Sequence, residues 1–194
     1  MHFDLPALPP VADDGQLQIT TTYLEMDVAP RHHGISITGP ELRVGRARNP
    51  TVSFYRYLYD TIGSPWLWWE RREMDQEALA AIIGHDKLEL YVLYVDGCPA
   101  GFAELDRRRG DEAELAYFGL VPDYLGQGIG KWFLSRVIDL AWEEAPTSRL
   151  WVHTTNLDHP RALMIYQRMG FVAYDEKTRT VEDPRLRGLF PEHA

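Results

Sequence analysis

The sequence predicts an α+β protein in which a mixed, mostly antiparallel sheet is flanked by helices. Two apolar segments, Leu88 to Val95 and Cys98 to Leu105, are separated by Asp96-Gly97, the turn pair that best fits the twist of a β-hairpin. A glycine-rich turn at 126–130 opens an amphipathic helix. The short apolar segment from Arg149 to Thr154 follows, as expected of a parallel strand reached by a right-handed crossover.

Composition limits the classes to which the chain can belong. It has 194 residues, 45% of them apolar and 25% charged, which suits one globular domain with a sizeable core. No apolar run could span a bilayer and the first residues do not resemble a signal peptide, so we expect a cytoplasmic protein with no membrane partner. The net charge of −9 argues against a nucleic-acid partner, because phosphate backbones attract basic surfaces. The single cysteine, Cys98, excludes an internal disulfide.

The first part of the chain is predicted to contain an arm, a strand and a loop. Residues 1–15 are rich in proline and are expected to form an extended or poorly ordered arm, whereas residues 16–194 are expected to form a single domain. Apolar and polar residues alternate from Gln16 to Met26, which predicts the first strand. Residues 31–48 show no clear period and are interpreted as a long loop, with a short strand at Gly34 to Thr38 as an open alternative.

Two helices are predicted next. Asn49-Pro50 is a helix-start signal, and the first helix is expected to end at Gly63. Asp75 is the expected cap of a second helix that ends at Gly84. The segment from Glu112 to Val121 should complete an antiparallel meander with the hairpin described above.

The stretch from Leu120 to Phe171 carries the residues with the clearest chemical meaning. The chain passes from Leu120-Val121-Pro122 into Leu125-Gly-Gln-Gly128-Ile-Gly130-Lys131, where a helix begins. A glycine turn that opens a helix leaves backbone amides unpaired and unshielded, so it predicts a seat for phosphate oxygens. Further on, His159-Pro-Arg-Ala162-Leu-Met-Ile-Tyr166 precedes Gly170-Phe171. A dinucleotide fingerprint does not fit, because the preceding strands form hairpins instead of βαβ units.

These two motifs resemble the two signatures of the GNAT N-acetyltransferase superfamily. Its first signature is Arg or Gln, two residues, Gly, one residue, then Gly or Ala; its second is Asn-Pro-x-Ala-x-x-x-Tyr followed by Gly-Phe. The chain departs at Leu125, which replaces Arg or Gln, and at His159, which replaces Asn. The resemblance covers Leu88 to Tyr174 well and the first half of the chain loosely. The resemblance implies the GNAT fold and acetyl-CoA as co-substrate. No metal is expected, because the sequence shows no cluster of possible ligands at a metal-binding spacing.

The resemblance also implies how coenzyme A would be held. The backbone of Leu120 and Val121 would pair with the pantetheine arm. The expected pyrophosphate ligands are the backbone amides of Gln127, Gly128, Ile129, Gly130 and Lys131. The Lys131 side chain is an optional counter-charge.

Acid and base candidates follow from the same resemblance. Tyr166 stands at the general-acid position, where a phenol can protonate the departing CoA thiolate; the alternative is a tyrosine that only packs in the core. Glu114 precedes Leu125 by the interval that separates the base from the phosphate signature in histone-acetylating members. Glu104 and His153 are rivals for accepting the amine proton.

The remaining candidates have plain structural alternatives. Asp158 is expected to cap the helix that contains Tyr166. Aromatic residues of the first helix and the following loop could line an acceptor pocket or simply pack in the core; they are Tyr55, Tyr57, Tyr59, Trp66, Trp68 and Trp69. Three arginines between residues 43 and 48 could bind an acceptor carboxylate, although a solvated loop is favoured.

The predicted function is that of an enzyme that moves an acetyl group from acetyl-CoA to a primary amine by direct attack. The absence of a plausible cysteine nucleophile motivates the direct version. The acceptor is expected to be a small molecule or a protein amine, and homodimer formation stays open. The alternatives are a non-catalytic acyl-CoA-binding regulatory module and the transfer of a longer acyl chain.

Overall fold

The computed structural model describes residues 5, 7–30, 35–143 and 145–190. The strands are β1 (Gln16–Met26), β2 (Leu42–Ala47), β3 (Leu88–Val95), β4 (Cys98–Asp106), β5 (Glu112–Leu120), β6 (Arg149–Thr155) and β7 (Val172–Glu182). The α-helices are α1 (Val52–Gly63), α2 (Gln76–Ile83), α3 (Ile129–Glu143) and α4 (Ala162–Arg168). None of these helices is long and apolar enough to cross a membrane.

The described strands form one seven-stranded sheet in the order β2-β3-β4-β5-β6-β1-β7. Neighbouring strands are antiparallel except β5 and β6, which are parallel. The predicted fold class is therefore confirmed, and so is the crossover through α3. The hairpin turn at Asp96-Gly97 is also confirmed, since both residues have the positive φ, 49° and 83°, that this turn requires.

Helices cover both faces of the sheet. Helices α1 and α2 pack on one face, where Tyr55 and Leu58 contact the side chains of β3 and β4. Helices α3 and α4 pack on the other, where Phe133 and Val137 belong to one cluster with Leu115. Successive residues of a strand point to opposite faces, so Glu114 projects on the α1 side.

The parallel pair β5–β6 separates part of the way along the sheet. Its ladder runs from Glu112↔Arg149 to Leu115↔Val152, although β5 continues to Leu120 and β6 to Thr155. A bulge coincides with the separation, because Leu115 and Tyr117 pair with consecutive residues of β4 and Ala116 opposes none. From residue 116 onward the β6-facing edge of β5 has no strand partner, and a wedge opens between the two strands.

Several local predictions differ from the structure. The strand suggested at Gly34 to Thr38 is wrong: residues 35–38 lie in no strand, Gly34 lies outside the described residues, and the strand is β2. Arg43 and Arg46 therefore lie on a strand; Arg43 stacks on Tyr94 and Arg46 pairs with Glu89.

The predicted starts of the first two helices agree in part with the structure. The cap of α1 is Thr51, whose hydroxyl accepts from the amide of Phe54 at 3.2 Å, and not Asn49, which has a φ of 54°. The predicted cap of α2 is confirmed, because the Asp75 carboxylate accepts from the amide of Ala78 at 2.8 Å. The division into an arm at 1–15 and a domain at 16–194 stays a prediction; among the described arm residues, Leu8 packs against the core.

Candidate active site

A cavity of about 850 Å³ lies in the wedge between β5 and β6. Its walls come from the edge of β5 at 115–120, from the glycine turn with the start of α3, and from the end of β6 with the loop that leads to α4. The tryptophan-containing loop after α1, part of β1 and part of β7 complete the lining. The volume is typical of sites for small molecules and cofactors.

The glycine turn presents backbone donors to this cavity. Gly126 and Gly128 have φ of 76° and 81°, which side chains other than that of glycine rarely adopt. Helix α3 begins at Ile129, so the amides of its first turn have no acceptor within the helix. Outside the helix, the described residues offer these amides no backbone or side-chain acceptor. Gly128, Gly130 and Lys131 line the cavity directly.

The other residues predicted to contact coenzyme A have fewer groups available for binding than the glycines of this turn. The Gln127 side chain donates to the carbonyl of Asp123 at 2.8 Å, and the Ile129 side chain is buried, so only their backbone amides are available. Leu120 lines the cavity. Both backbone groups of Val121 already have partners: its amide donates to Ala100 and its carbonyl accepts from Tyr124.

Tyr166 lies on α4 with 7% of its surface exposed and lines the cavity. Its ring packs edge-on against Phe171 at 5.8 Å between centroids. Among the described residues, none forms a hydrogen bond with its hydroxyl. Burial raises the pKa of the Tyr166 phenol well above its ordinary value, and the carboxylate of Asp158 raises it further. The group therefore stays protonated at neutral pH and can donate a proton.

The expectation that Asp158 caps α4 is wrong. Its carboxylate instead accepts from the amide of Thr155 at 2.7 Å and from the hydroxyl of Thr154 at 2.9 Å. The residue before α4 is Arg161, which makes no side-chain capping bond. Asp158 thus fixes the end of β6, and its carboxylate faces the cavity.

The two positions that depart from the signature both line the cavity. Leu125 packs its side chain against the core cluster of α3. His159 accepts from the amide of Arg161 at 3.0 Å through Nδ1, and its ring lies 5.5 Å from that of Trp66. Burial, aided by the charge of Arg161, lowers the pKa of His159, so its imidazole is neutral at neutral pH.

Glu104 lies in the core, where it is fully buried. One of its carboxylate oxygens accepts from Arg71 Nη2 and the other from the Tyr55 hydroxyl, each at 2.6 Å. Burial acts to lower the pKa of Arg71, but Glu104, together with Tyr55 and Tyr117, raises it above its ordinary value. Glu104 is therefore occupied as the counter-ion of a buried arginine.

Glu114 and His153 lie together at the mouth of the wedge. The distance from Glu114 Oε1 to His153 Nδ1 is 3.5 Å. Burial lowers the pKa of His153, but the nearby carboxylates, Glu114 first and then Asp158 and Glu70, together raise it above its ordinary value of 6.5. His153 lines the main cavity, and both side chains line a second cavity of about 330 Å³.

For the aromatic residues of α1 and the following loop, the sequence left two alternatives open, lining a pocket or packing in the core. The structure shows some residues in each position. Trp66, Trp68 and Trp69 line the cavity, whereas Tyr55 and Tyr59 are buried among the core residues of α1. Tyr57, which is 51% exposed, is not part of the lining.

Some lining residues had no recognisable signal in the sequence. Tyr23 and Lys177 reach the cavity through strand pairing with β6 and β1, across more than a hundred residues of chain. Within the described residues, no group of three or more histidine, cysteine or acidic side chains could hold a metal ion.

Comparison with known proteins agrees with this architecture. The model of the acetyltransferase (GNAT) family matches residues 53–171, more than half of the 194 residues. A search of curated proteins found no match.

Solved structures with similar folds include three of different origin. A functionally unknown conserved protein from Staphylococcus epidermidis aligns with a TM-score of 0.58 and 16% identity over 88% of this chain and 64% of its own. A GCN5-related N-acetyltransferase from Kribbella flavida aligns with a TM-score of 0.55 and 14% identity over 89% of this chain and 61% of its own. An aminoglycoside acetyltransferase from an uncultured soil metagenomic sample aligns with a TM-score of 0.54 and 15% identity over 66% of this chain and 87% of its own.

The first two of these chains are longer, and this chain spans less than two thirds of each. At such low identities the structural likeness establishes the fold alone. The family match goes further than the fold. Together with the glycine turn that opens α3 and the wedge beside β5, it shows that the chain belongs to the GNAT acetyltransferase family.

Proposed function

We propose that the protein transfers an acetyl group from acetyl-CoA to a primary amine by direct attack. The observation that carries the proposal is the composition of one cavity, which is lined both by the open amides of the glycine turn and by the buried phenol of Tyr166. The first is suited to a phosphate and the second to a leaving group that needs a proton.

Coenzyme A would bind along the wedge. Its pyrophosphate would accept from the backbone amides of residues 127–131, where the positive end of the α3 dipole and the charge of Lys131 favour an anion. The pantetheine arm would pair with the free edge of β5 from residue 116 to Leu120. Val121 is left out of this contact because its backbone groups are engaged within the protein.

The chemical step needs one acid and one base. The amine nitrogen attacks the thioester carbonyl, and collapse of the tetrahedral intermediate breaks the C–S bond. Tyr166, which is protonated at neutral pH, would give its proton to the departing sulfur. The proton lost by the amine would pass to Glu114 and His153, which lie 3.5 Å apart; His153 lines this cavity and both side chains line the second one. Glu104 has no part in this step, because its oxygens are bound to Arg71 and Tyr55.

A titration with coenzyme A tests the phosphate seat. Replacing Gly128 by Val forces a side chain onto a φ of 81° and places it beside the proposed pyrophosphate, so we expect the affinity to fall about tenfold or more. The matched control is Gly97→Val in the β3–β4 turn, where φ is 83° and the space around the added Cβ is equally open. The control should lose similar stability without losing affinity. Equal affinity in Gly128→Val would move the phosphate seat elsewhere.

An activity assay tests the transfer itself. The protein is incubated with acetyl-CoA and a panel of primary amines, thiol release is followed, and the product is identified by mass spectrometry. An acetylated amine supports the proposal. Tight binding of coenzyme A without turnover under any amine would support the alternative, a non-catalytic acyl-CoA-binding module, which the departures at Leu125 and His159 motivate.

A further inference from the structure

The second cavity, of about 330 Å³, opens on the α1 side of the sheet. It meets the main cavity at Ala116, Tyr117 and His153, the residues beside the bulge of β5. Glu114 lines only this second cavity, and His153 lines both. An amine that gives its proton to this pair would therefore reach it through the second cavity, while coenzyme A occupies the first.

Three arginines line the second cavity, and two of them already have carboxylate partners. Arg71 pairs with Glu104 in the core, and Arg108 donates hydrogen bonds to both oxygens of Asp106. No described carboxylate lies within ion-pair distance of Arg109. The cavity therefore presents one guanidinium that has no ion-pair partner among the described residues.

Arg109 is held in place by an aromatic ring. Its guanidinium carbon lies 5.1 Å from the centroid of Trp151, which is only 6% exposed and therefore a fixed platform. Trp151 is also the ladder partner of Glu114 across β5 and β6. Arg109 and the residue proposed to accept the amine proton thus line the same small cavity, on either side of Trp151 in the contacts described above.

We propose that the acceptor is a small aminocarboxylate, whose carboxylate binds Arg109 while its amine lies against Glu114 and His153. The inference rests on the proposed function and specifies its acceptor. A guanidinium matches a carboxylate with two parallel hydrogen bonds, and the indole beneath it reduces the freedom lost on binding. The neighbouring Glu114 carboxylate favours the cationic amine of the same molecule.

Pairs of acceptors that differ only in one charge test the inference. Glycine, β-alanine and γ-aminobutyrate are each compared with their amides, and phosphoethanolamine is compared with ethanolamine. For the best spacing we expect kcat/KM of the acid to exceed that of its amide at least about tenfold, the usual effect of one charge-assisted hydrogen bond. Equal values for every acid and amide would overturn the inference, and acceptance of phosphoethanolamine alone would overturn the carboxylate assignment.

Arg109→Gln locates the preference. This variant should raise KM for the acid until acid and amide are equal, with the amide kinetics and the coenzyme A affinity unchanged. The control is Arg136→Gln on the outer surface of α3, where the arginine pairs with Asp139 and touches neither cavity. It should keep the wild-type preference. A preference that survives in Arg109→Gln would refute the assignment of Arg109.

A binding titration separates this inference from the proposed function. The same acids and amides are titrated into the protein with coenzyme A present. If no amine is acetylated but the acid binds and Arg109→Gln abolishes binding, transfer fails and the anion site stands. If acids and amides are acetylated alike, transfer stands and the anion site fails. If neither turnover nor binding occurs, both are refuted.

Discussion

Replacing Tyr166 by Phe removes one oxygen from the proposed active site and little else. The ring would keep its edge-on contact with Phe171, and the hydroxyl has no hydrogen-bond partner among the described residues that could be left unsatisfied. We therefore expect the free energy of unfolding to change by less than about 1 kcal/mol. Coenzyme A affinity should also be unchanged, because the phosphate contacts lie at the start of α3.

The effect on turnover should be large by comparison. Positioned acids and bases contribute about 10²- to 10⁴-fold, so kcat should fall by that factor, which corresponds to a barrier higher by about 3–5 kcal/mol. The raised pKa of Tyr166 means that the wild-type acid stays protonated, so this loss should persist through neutral pH.

Thiol release at saturating amine and acetyl-CoA measures kcat, and thermal unfolding checks the fold of each variant. Tyr57→Phe is the matched control, since Tyr57 is 51% exposed on α1 and lines neither cavity. Its kcat should equal that of the wild type. If Tyr166→Phe turns over as fast as the control, Tyr166 is a packing residue and the general acid must be sought elsewhere.

Three further predictions concern the acidic residues of β4 and β5. Glu114 is the main group among the carboxylates that together raise the pKa of His153, so the acid limb of kcat/KM should lie above pH 6.5 in the wild type and move to lower pH in Glu114→Gln. An unmoved limb would exclude the pair as the base. Because the pKa of His153 is raised on folding, protonated His153 stabilises the folded state. This contribution is complete below about pH 6.5 and is lost as the pH rises through the pKa that His153 has in the folded state. The Tm difference between wild type and Glu114→Gln should therefore shrink with rising pH. Glu104→Gln leaves the charge of Arg71 buried without a counter-ion and should lower the free energy of unfolding, measured in urea, by about 3–5 kcal/mol. A much smaller loss would argue that water reaches the pair.

Local signals in the sequence predicted much of the fold. The pair Asp96-Gly97 specifies a turn that few other residues can form, and the structure has it. The glycine turn, α3 and β6 follow one another along the chain, so short-range patterns also predicted this crossover. The candidate phosphate seat needs only these neighbouring residues, because its donors are backbone amides.

Other elements depend on distant partners and were missed or misplaced. Strand β2 is short and carries two arginines, which obscure the apolar alternation; its identity as a strand comes from pairing with β3. The cap of α1 is Thr51 and not the predicted Asn49, because either side chain can cap a helix and only the backbone path decides between them.

The sequence by itself determined the family resemblance, the glycine turn and the position of Tyr166, because each depends on residues that are close along the chain. Only the tertiary structure shows the different surroundings of Glu104 and Glu114, which have the same side chain on neighbouring strands. The register of β4 and β5 turns Glu104 into the core, where Arg71 and Tyr55 bind it, and leaves Glu114 beside His153 at the point where β5 and β6 separate. The chemistry open to a carboxylate depends on these long-range neighbours, and no pattern within a single strand specifies them.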